Sequence, residues 1–372
     1  MDKNKFIIVP ADICNLTCSF CCVAKCKESS STVMSTDDAI RYANIIIRYI
    51  VKHKLDFVDF TFFGGEPLLN FDAVKIFLSA VKNCYKIYGI PQTIETNMLT
   101  NGTVNIPEYI EFVNTLNEDC HIFRNNIQFS YDGPPHLVSA IAEKIDLTNI
   151  RKAIELTKDN KYWYINCMIV VSDQNADNFY ELFKFLHSDK DIFNVMFFRI
   201  DIENINYAKL SSVLLPQLSL VIDYIKKSSD LENMMIARRK FGRYLRDSVS
   251  NTCCAGTSKI GLSANGILGG CHHDVVLVNS DLPNRTFIKL KSIEDIENYL
   301  DLTYSNGWYQ IGKDGHVDYE DLCPAHYEKV KDDPDRKEFF RKVHEIVKQL
   351  DEEEVLNEDT KNTTDKHDIE DM

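Results

Sequence analysis

The chain has 372 residues, 44% of them hydrophobic, and 42 basic against 56 acidic side chains leave a net charge of −14. That length allows one large domain plus a smaller one, and the acidic balance excludes non-specific nucleic-acid binding. No run of about 18 apolar residues predicts a membrane span, no secretory signal precedes Phe6, and twelve cysteines in a long chain without such a signal read as metal ligands in a reducing, cytoplasmic compartment.

The apolar run Phe6 to Pro10 comes first. It is followed by Cys14, Cys18 and Cys21, spaced C-x3-C-x2-C. Thr36–Lys52 has apolar positions at helical spacing, with Ser35 or Thr36 as cap. Leu55–Phe63 is a buried strand ending in Gly64-Gly65-Glu66-Pro67. Phe71–Tyr88 is a helix, Gln92–Thr96 a short strand, Pro107–Leu116 a helix, and Asn126–Ser130 a strand. Leu147–Lys158 is a helix, Tyr162–Val171 a strand, Ala176–Leu186 a helix, Val195–Ile200 a strand, and Ser211–Lys227 a helix. Six strand–helix alternations demand parallel strands with right-handed crossovers. They are too few for a closed eight-fold barrel, so the expected fold is α/β, a partial (β/α)6 TIM-like barrel over residues 1–230. Its motifs fall at the C-terminal ends of the strands, where such folds build their sites.

Composition changes near Asn251. Residues 251–330 are rich in Gly, Cys and Ser at their start and are expected to form a second, small domain. Pro334–Leu350 is an amphipathic helix with Asp333 as N-cap and Pro334 at the first helical position. From Asp351 to Met372 ten acidic residues stand against two basic ones, so −8 of the −14 lies there and −6 remains for the other 350 residues. Residues 331–372 are therefore expected to be a helix followed by an acidic, disordered tail.

Three thiolates on one tight loop suit a [4Fe-4S] cube, which has four irons and thus one left open. On these residues alone, zinc and reduced core cysteines stay open as alternatives. Phe20 sets a flat ring beside the site. Gly64-Gly65 let the backbone approach a ligand closely, and the turn's carbonyls and the Glu66 carboxylate are suited to receive an ammonium group. Together, Cys14/Cys18/Cys21 with Phe20 and Phe62-Phe63-Gly64-Gly65-Glu66-Pro67 resemble the two signatures of the radical S-adenosylmethionine (SAM) superfamily. The resemblance implies that the open iron chelates SAM and that Gly64, Gly65 and Glu66 hold its amino group. Thr96-Asn97 stand where relatives carry Thr-Asn-Gly, with Met98 in place of the glycine, and are expected to bond SAM or substrate or simply to end a strand. Ser130-Tyr131-Asp132-Gly133-Pro134 looks like the Ser-x-Asp-Gly-Pro segment of the peptide-modifying branch. There Ser130 would touch SAM, and Asp132 would position substrate or take a proton, or else close an Asx-type turn.

Cys254, Gly266 and Cys271, spaced C-x11-G-x4-C, with Cys323 later, resemble a SPASM or twitch domain. This implies a second, auxiliary [4Fe-4S] cluster on Cys254, Cys271 and Cys323, its fourth ligand among Cys253, His272, His273, Asp274 and His326 or absent. Cys253 is also the candidate hydrogen-atom donor. The resemblance implies that an electron passed into SAM leaves a 5′-deoxyadenosyl radical, which removes a substrate hydrogen. The expected substrate is a ribosomally made precursor peptide, given a thioether, a C–C or C–O crosslink, or an epimerised residue. Oxidation of a small alcohol such as an aminocyclitol is the alternative, and a non-enzymatic iron–sulfur or zinc protein the third. Expected partners are an electron donor such as flavodoxin or ferredoxin and, because only 13 residues precede Cys14, either a separate leader-binding protein or none. No nucleic-acid or membrane partner is expected.

Overall fold

The computed structural model describes residues 4–18, 21, 32–118, 120–134, 136–137, 147–172, 175–200, 206–228, 241, 259–270, 287–305 and 333–364. The first six strands are β1 (Asn4–Ile8), β2 (Phe57–Phe62), β3 (Thr93–Thr100), β4 (Phe123–Ser130), β5 (Trp163–Val171) and β6 (Met196–Ile200). Each pairs in parallel with its sequence neighbour. Between them lie α1 (Thr36–Lys52), α2 (Phe71–Tyr88), α3 (Ile106–Asn117), α4 (Leu147–Thr157), and α5 (Phe179–Ser188) with a short α6 (Lys190–Val195); α7 (Tyr207–Lys227) follows β6. The repeating strand–helix unit read from the sequence is therefore present in the expected order.

The chain punctuates these elements as its residues dictate. Ser35 caps α1, its hydroxyl accepting from Asp38 N at 3.1 Å and donating to the Asp38 carboxylate at 2.9 Å. Gly89 ends α2 in the left-handed region at φ 70°. Fully buried rings from the strands, among them Phe6, Phe60, Phe62, Phe123 and Phe129, form the core under the helices.

The C-terminal part differs from expectation in three respects. First, β7 (Lys259–Leu262), β8 (Ile267–Gly269) and β9 (Ile288–Lys289) continue the same sheet, giving the order β6-β5-β4-β3-β2-β1-β7-β8-β9. β7 is parallel to β1, and β8 and β9 follow as antiparallel strands. Pairing with β7 satisfies the edge of β1 that would otherwise present unpaired backbone groups. The helix α8 (Ile293–Ser305) docks onto α1, with Glu297 2.7 Å from both Lys52 Nζ and His53 Nε2.

Second, the last helix, α9 (Pro334–Thr364), runs fourteen residues past Leu350 into the segment read as a disordered tail. Asp333 caps it, accepting from Asp335 N at 3.0 Å and Arg336 N at 3.2 Å. The extension holds four Glu, which favour helix, and no Gly or Pro to stop it. Third, α7 is long and apolar enough to cross a membrane, where the sequence reading saw no such run. Its apolar face is nonetheless committed within the fold. Leu214 and Leu218 share a core cleft with Val343 of α9, and the Tyr207 ring lies 5.8 Å from Phe339.

Candidate functional site

The cysteine loop leaves the C-terminal end of β1 and is closed at its base. Ala11 forms an antiparallel bridge with Val33, and Asp12 N donates to Thr32 O at 2.9 Å. The Asn70 amide donates to both Pro10 O and Met34 O at 2.9 Å. Within the loop Cys21 N donates to Cys18 O at 3.2 Å, a tight turn that brings the last two cysteines to one side.

The Gly64–Glu66 turn lies directly against this loop. Phe63 N bonds Ile8 O at 3.0 Å, Gly65 N bonds Ala11 O at 3.0 Å, and Glu66 N bonds Ile13 O at 2.8 Å. A Cβ on Gly65 would stand 2.1 Å from Ile13 O, and Gly64, at φ 140°, has Ala11 O only 2.4 Å from its Cβ position. The close approach the glycines permit is thus first of all to the backbone that carries the cysteines.

Glu66 has no exposed surface. One carboxylate oxygen accepts from Leu68 N at 3.0 Å and Thr100 Oγ1 at 2.8 Å, and the other from Asn101 N at 2.7 Å. Burial pushes its pKa up to about 7, against the pull of those three donors. The carboxylate read as an ammonium acceptor is therefore engaged inside the protein, where it ties the turn to the end of β3.

Thr96 and Asn97 do not end β3, which continues to Thr100. Thr96 is buried on the helix side, donating to Asn125 Oδ1 at 2.8 Å and accepting from the Tyr109 hydroxyl at 3.4 Å. Asn97, on the opposite face, belongs to a polar ladder running across five strands. Lys5 pairs with Asp59 at 3.0 Å, Asn97 donates to Asp59 at 2.9 Å, Asn126 to Asn97 at 2.9 Å, and Asn166 to Asn126 at 2.6 Å. The strand-end triplet is Thr100-Asn101-Gly102, four residues further on. Thr100 bonds Glu66 and accepts from Gly102 N at 3.0 Å. The Asn101 amide donates to Cys14 Sγ at 3.5 Å and to Asn15 Oδ1 at 2.9 Å. The sequence reading passed over these residues, although the same Thr-Asn pair, followed by a true glycine, marks them.

Ser130 is the exposed last residue of β4, paired with Met168 of β5. Asp132, almost wholly buried, accepts from Val170 N at 3.1 Å and so joins the ends of β4 and β5. It also faces the cysteine loop. Burial first, then Asp132, Cys21 and Cys14, hold the Cys18 thiol up at about 12. The structure thus gathers Cys14, Cys18, Cys21, the Gly64–Glu66 turn and Asp132 into one region. Phe20, Cys253, Cys254, Cys271 and Cys323 lie outside the described residues, as do His272, His273, Asp274 and His326. Gly266, between Cys254 and Cys271, does form the turn of the β7–β8 hairpin, with φ 79° and its N donating to Ser263 O at 2.9 Å.

The donor set fits an iron–sulfur cluster. The charged neighbours acting on Cys18 are all anionic, so a bound cationic centre would relieve the strain on its thiolate. Among the described residues no three His, Cys, Asp or Glu side chains stand together as a group that could hold a single metal ion.

Residues 8–186 match the family model of the Radical SAM superfamily. The chain is 25% identical over 183 residues to the radical SAM cyclopropyl synthase TigE of Paramaledivibacter caminithermalis, a match covering 46% of this chain and only 36% of that protein. Its fold is similar to that of native anSMEcpe with bound AdoMet and Cp18Cys peptide, and of native anSMEcpe with bound AdoMet. In both cases the TM-score is 0.62 and the identity 18%, over 95% of this chain and 98% of the other.

Proposed function

We propose, from the radical SAM domain matched over residues 8–186, that this enzyme modifies a peptide by removing a hydrogen atom from it. The carrying observation is the set of backbone hydrogen bonds that seats the Gly64–Glu66 turn on the cysteine loop, at 3.0 Å from Gly65 and 2.8 Å from Glu66. Cys14, Cys18 and Cys21 would hold a [4Fe-4S] cluster there, and the chemistry it would supply is one-electron reductive cleavage of SAM to methionine and a 5′-deoxyadenosyl radical.

The residues of the chain have the following parts. Cys14, Cys18 and Cys21 would ligate the cluster through three thiolates, leaving one iron open to SAM. The carbonyls of the turn receive the SAM ammonium, since the Glu66 carboxylate is engaged with Leu68, Thr100 and Asn101. Ser130, exposed at the end of β4, reaches SAM, and Asp132 orders the β4 and β5 ends around the substrate. In a partial barrel the ladder of neutral amides at Asn97, Asn126 and Asn166, on the face of β3, β4 and β5 away from the helices, would line the interior. Amides of this kind suit a peptide's own donors and acceptors, and anSMEcpe, of similar fold, is seen with a peptide bound. Cys254, Cys271 and Cys323, outside the described residues, would hold an auxiliary cluster. A flavodoxin or ferredoxin would supply the electron in the cytoplasm.

The test is anaerobic reconstitution with iron and sulfide, followed by SAM and dithionite. Release of 5′-deoxyadenosine is expected, and an intact cluster that releases none would overturn the enzyme reading. Iron near four rather than eight per chain would remove the auxiliary cluster. Mass spectrometry of candidate peptides co-expressed with the enzyme is expected to show a mass change. Unmodified peptides beside turnover of a small alcohol would replace the substrate class.

A further inference from the structure

We propose that Asn101 is a positioning residue whose side-chain N–H, donated to Cys14 Sγ, raises the reduction potential of the cluster held by the cysteine loop. The inference rests on the function proposed above and adds to it an element outside both sequence signatures.

The geometry fixes the orientation of this amide. Thr103 N donates to Asn101 Oδ1 at 3.0 Å, and a backbone N–H cannot reverse its role. The oxygen of Asn101 must therefore face Thr103, which leaves the NH2 group facing Cys14 Sγ at 3.5 Å. Three side chains lock this arrangement into a closed ring. Asn101 Nδ2 donates to Asn15 Oδ1 at 2.9 Å, Asn15 Nδ2 to Thr103 Oγ1 at 2.7 Å, and Thr103 Oγ1 to Asn101 Oδ1 at 2.7 Å. The ring joins the end of β3 to the residue after Cys14. Asn101 itself is only 8% exposed, so water competes poorly for its N–H.

Leu16 N is the second donor to Cys14 Sγ, at 3.4 Å, but it belongs to the backbone and is common to any side chain at that position. Asn101 is the donor that depends on side-chain identity. A cluster gains one negative charge on reduction, which spreads onto its sulfurs. An N–H pointing at a ligating sulfur stabilises the reduced form more than the oxidised one, and hydrogen bonds to sulfur are among the levers that set the potentials of such clusters. Placed here, the amide makes the cluster easier to reduce.

The experiment is an EPR-monitored redox titration of the reconstituted full-length wild type, Asn101→Leu, Asn101→Asp and Thr103→Val. The midpoint potential is expected to fall in Asn101→Leu, which removes the donor at similar volume. It should fall further in Asn101→Asp, which sets an anionic oxygen against the sulfur. Thr103→Val loosens the ring but keeps the Thr103 N–H, so a smaller fall is expected; it carries the test if the Asn101 variants do not fold. Resonance Raman in D2O adds a second readout: the Fe–S(Cys) bands of wild type shift on exchange, and those of Asn101→Leu shift less. Loaded variants with the wild-type potential overturn the inference and leave the proposed function standing. A wild-type chain that takes up no cluster at Cys14, Cys18 and Cys21 overturns both.

Discussion

Replacing Glu66 by glutamine tests which of two opposed effects governs the carboxylate that ties the site together. Burial disfavours its charged form, while hydrogen bonds from Asn101 N, Leu68 N and Thr100 Oγ1 favour it. Burial prevails, and the pKa stands at about 7 against an ordinary 4.5. That rise of about 2.5 units corresponds to about 3 kcal/mol. Between the two values the native state keeps the proton that the unfolded state has lost. The stabilising contribution is therefore whole below pH 4.5 and is lost as the pH rises through about 7.

Glutamine does not titrate. Its amide nitrogen would face the Asn101 N–H, a donor against a donor, at a pH-independent cost of about 1–3 kcal/mol. The unfolding free energy of wild type minus that of Glu66→Gln should thus decline by about 3 kcal/mol from about pH 4 to about pH 8. Urea unfolding of the metal-free chain, followed by circular dichroism, measures it. A difference that is flat, or that grows with pH, would show that the three donors hold the carboxylate ionised and would refute the reasoning.

Gly65→Ala sets a methyl 2.1 Å from Ile13 O, so the turn must move off the cysteine loop; iron uptake on reconstitution is expected to be lost while far-UV circular dichroism stays near wild type, and wild-type iron content would count against the contact. Thr100→Val removes the donor to Glu66 and the acceptor for Gly102 N, lowering stability by about 1–3 kcal/mol and weakening SAM binding in calorimetry; Thr96→Val should leave SAM affinity unchanged, and the opposite ranking would place the functional threonine in mid-strand. In the metal-free chain the Cys18 thiol, held up at about 12, is about one ten-thousandth thiolate at about pH 8, so its alkylation by iodoacetamide should be slow and rise about tenfold per pH unit. Fast, pH-insensitive labelling of Cys18 by mass spectrometry would contradict its burial beside Asp132.

The strands and helices were legible because their apolar periods are clean and their caps, Ser35 and Asp333, are residues that bond the first turn. The end of β3 was not. Asn97 is of a type depleted in strands, and it made the strand look finished. Its amide is satisfied by Asp59 and Asn126 on neighbouring strands, partners that no local window contains. The acidic run after Leu350 was legible by its charge as a solvated tail, whereas the helix begun at Pro334 continues through 351–364, which holds four Glu and no Gly or Pro to stop it. The cysteine loop and the Gly64–Glu66 turn, the two candidate cofactor motifs, stand out in the sequence by residue type. That one packs its backbone against the other, through Gly65 and Ile13, depends on the pairing of β1 with β2. That Asn101 reaches Cys14 from 87 residues away depends further on how far β3 extends.

The position of Glu66 explains why a fold would keep a carboxylate that weakens it near neutral pH. Its backbone N–H holds Ile13, ahead of the first cysteine, while its side chain holds the turn at Leu68 and the end of β3 at Thr100 and Asn101. A carboxylate accepts from three separate donors at once, whereas a glutamine must present its NH2 to one of them. Three segments distant in sequence are thereby fixed by one side chain, and Asn101 is held with its own amide aimed at Cys14. An apolar residue would remove the cost of a buried charge but would leave the Asn101 and Leu68 N–H groups and the Thr100 hydroxyl without that acceptor. The loss of stability at Glu66 is thus coupled to the alignment of the cysteine loop, the turn and β3, the arrangement on which the proposed chemistry depends.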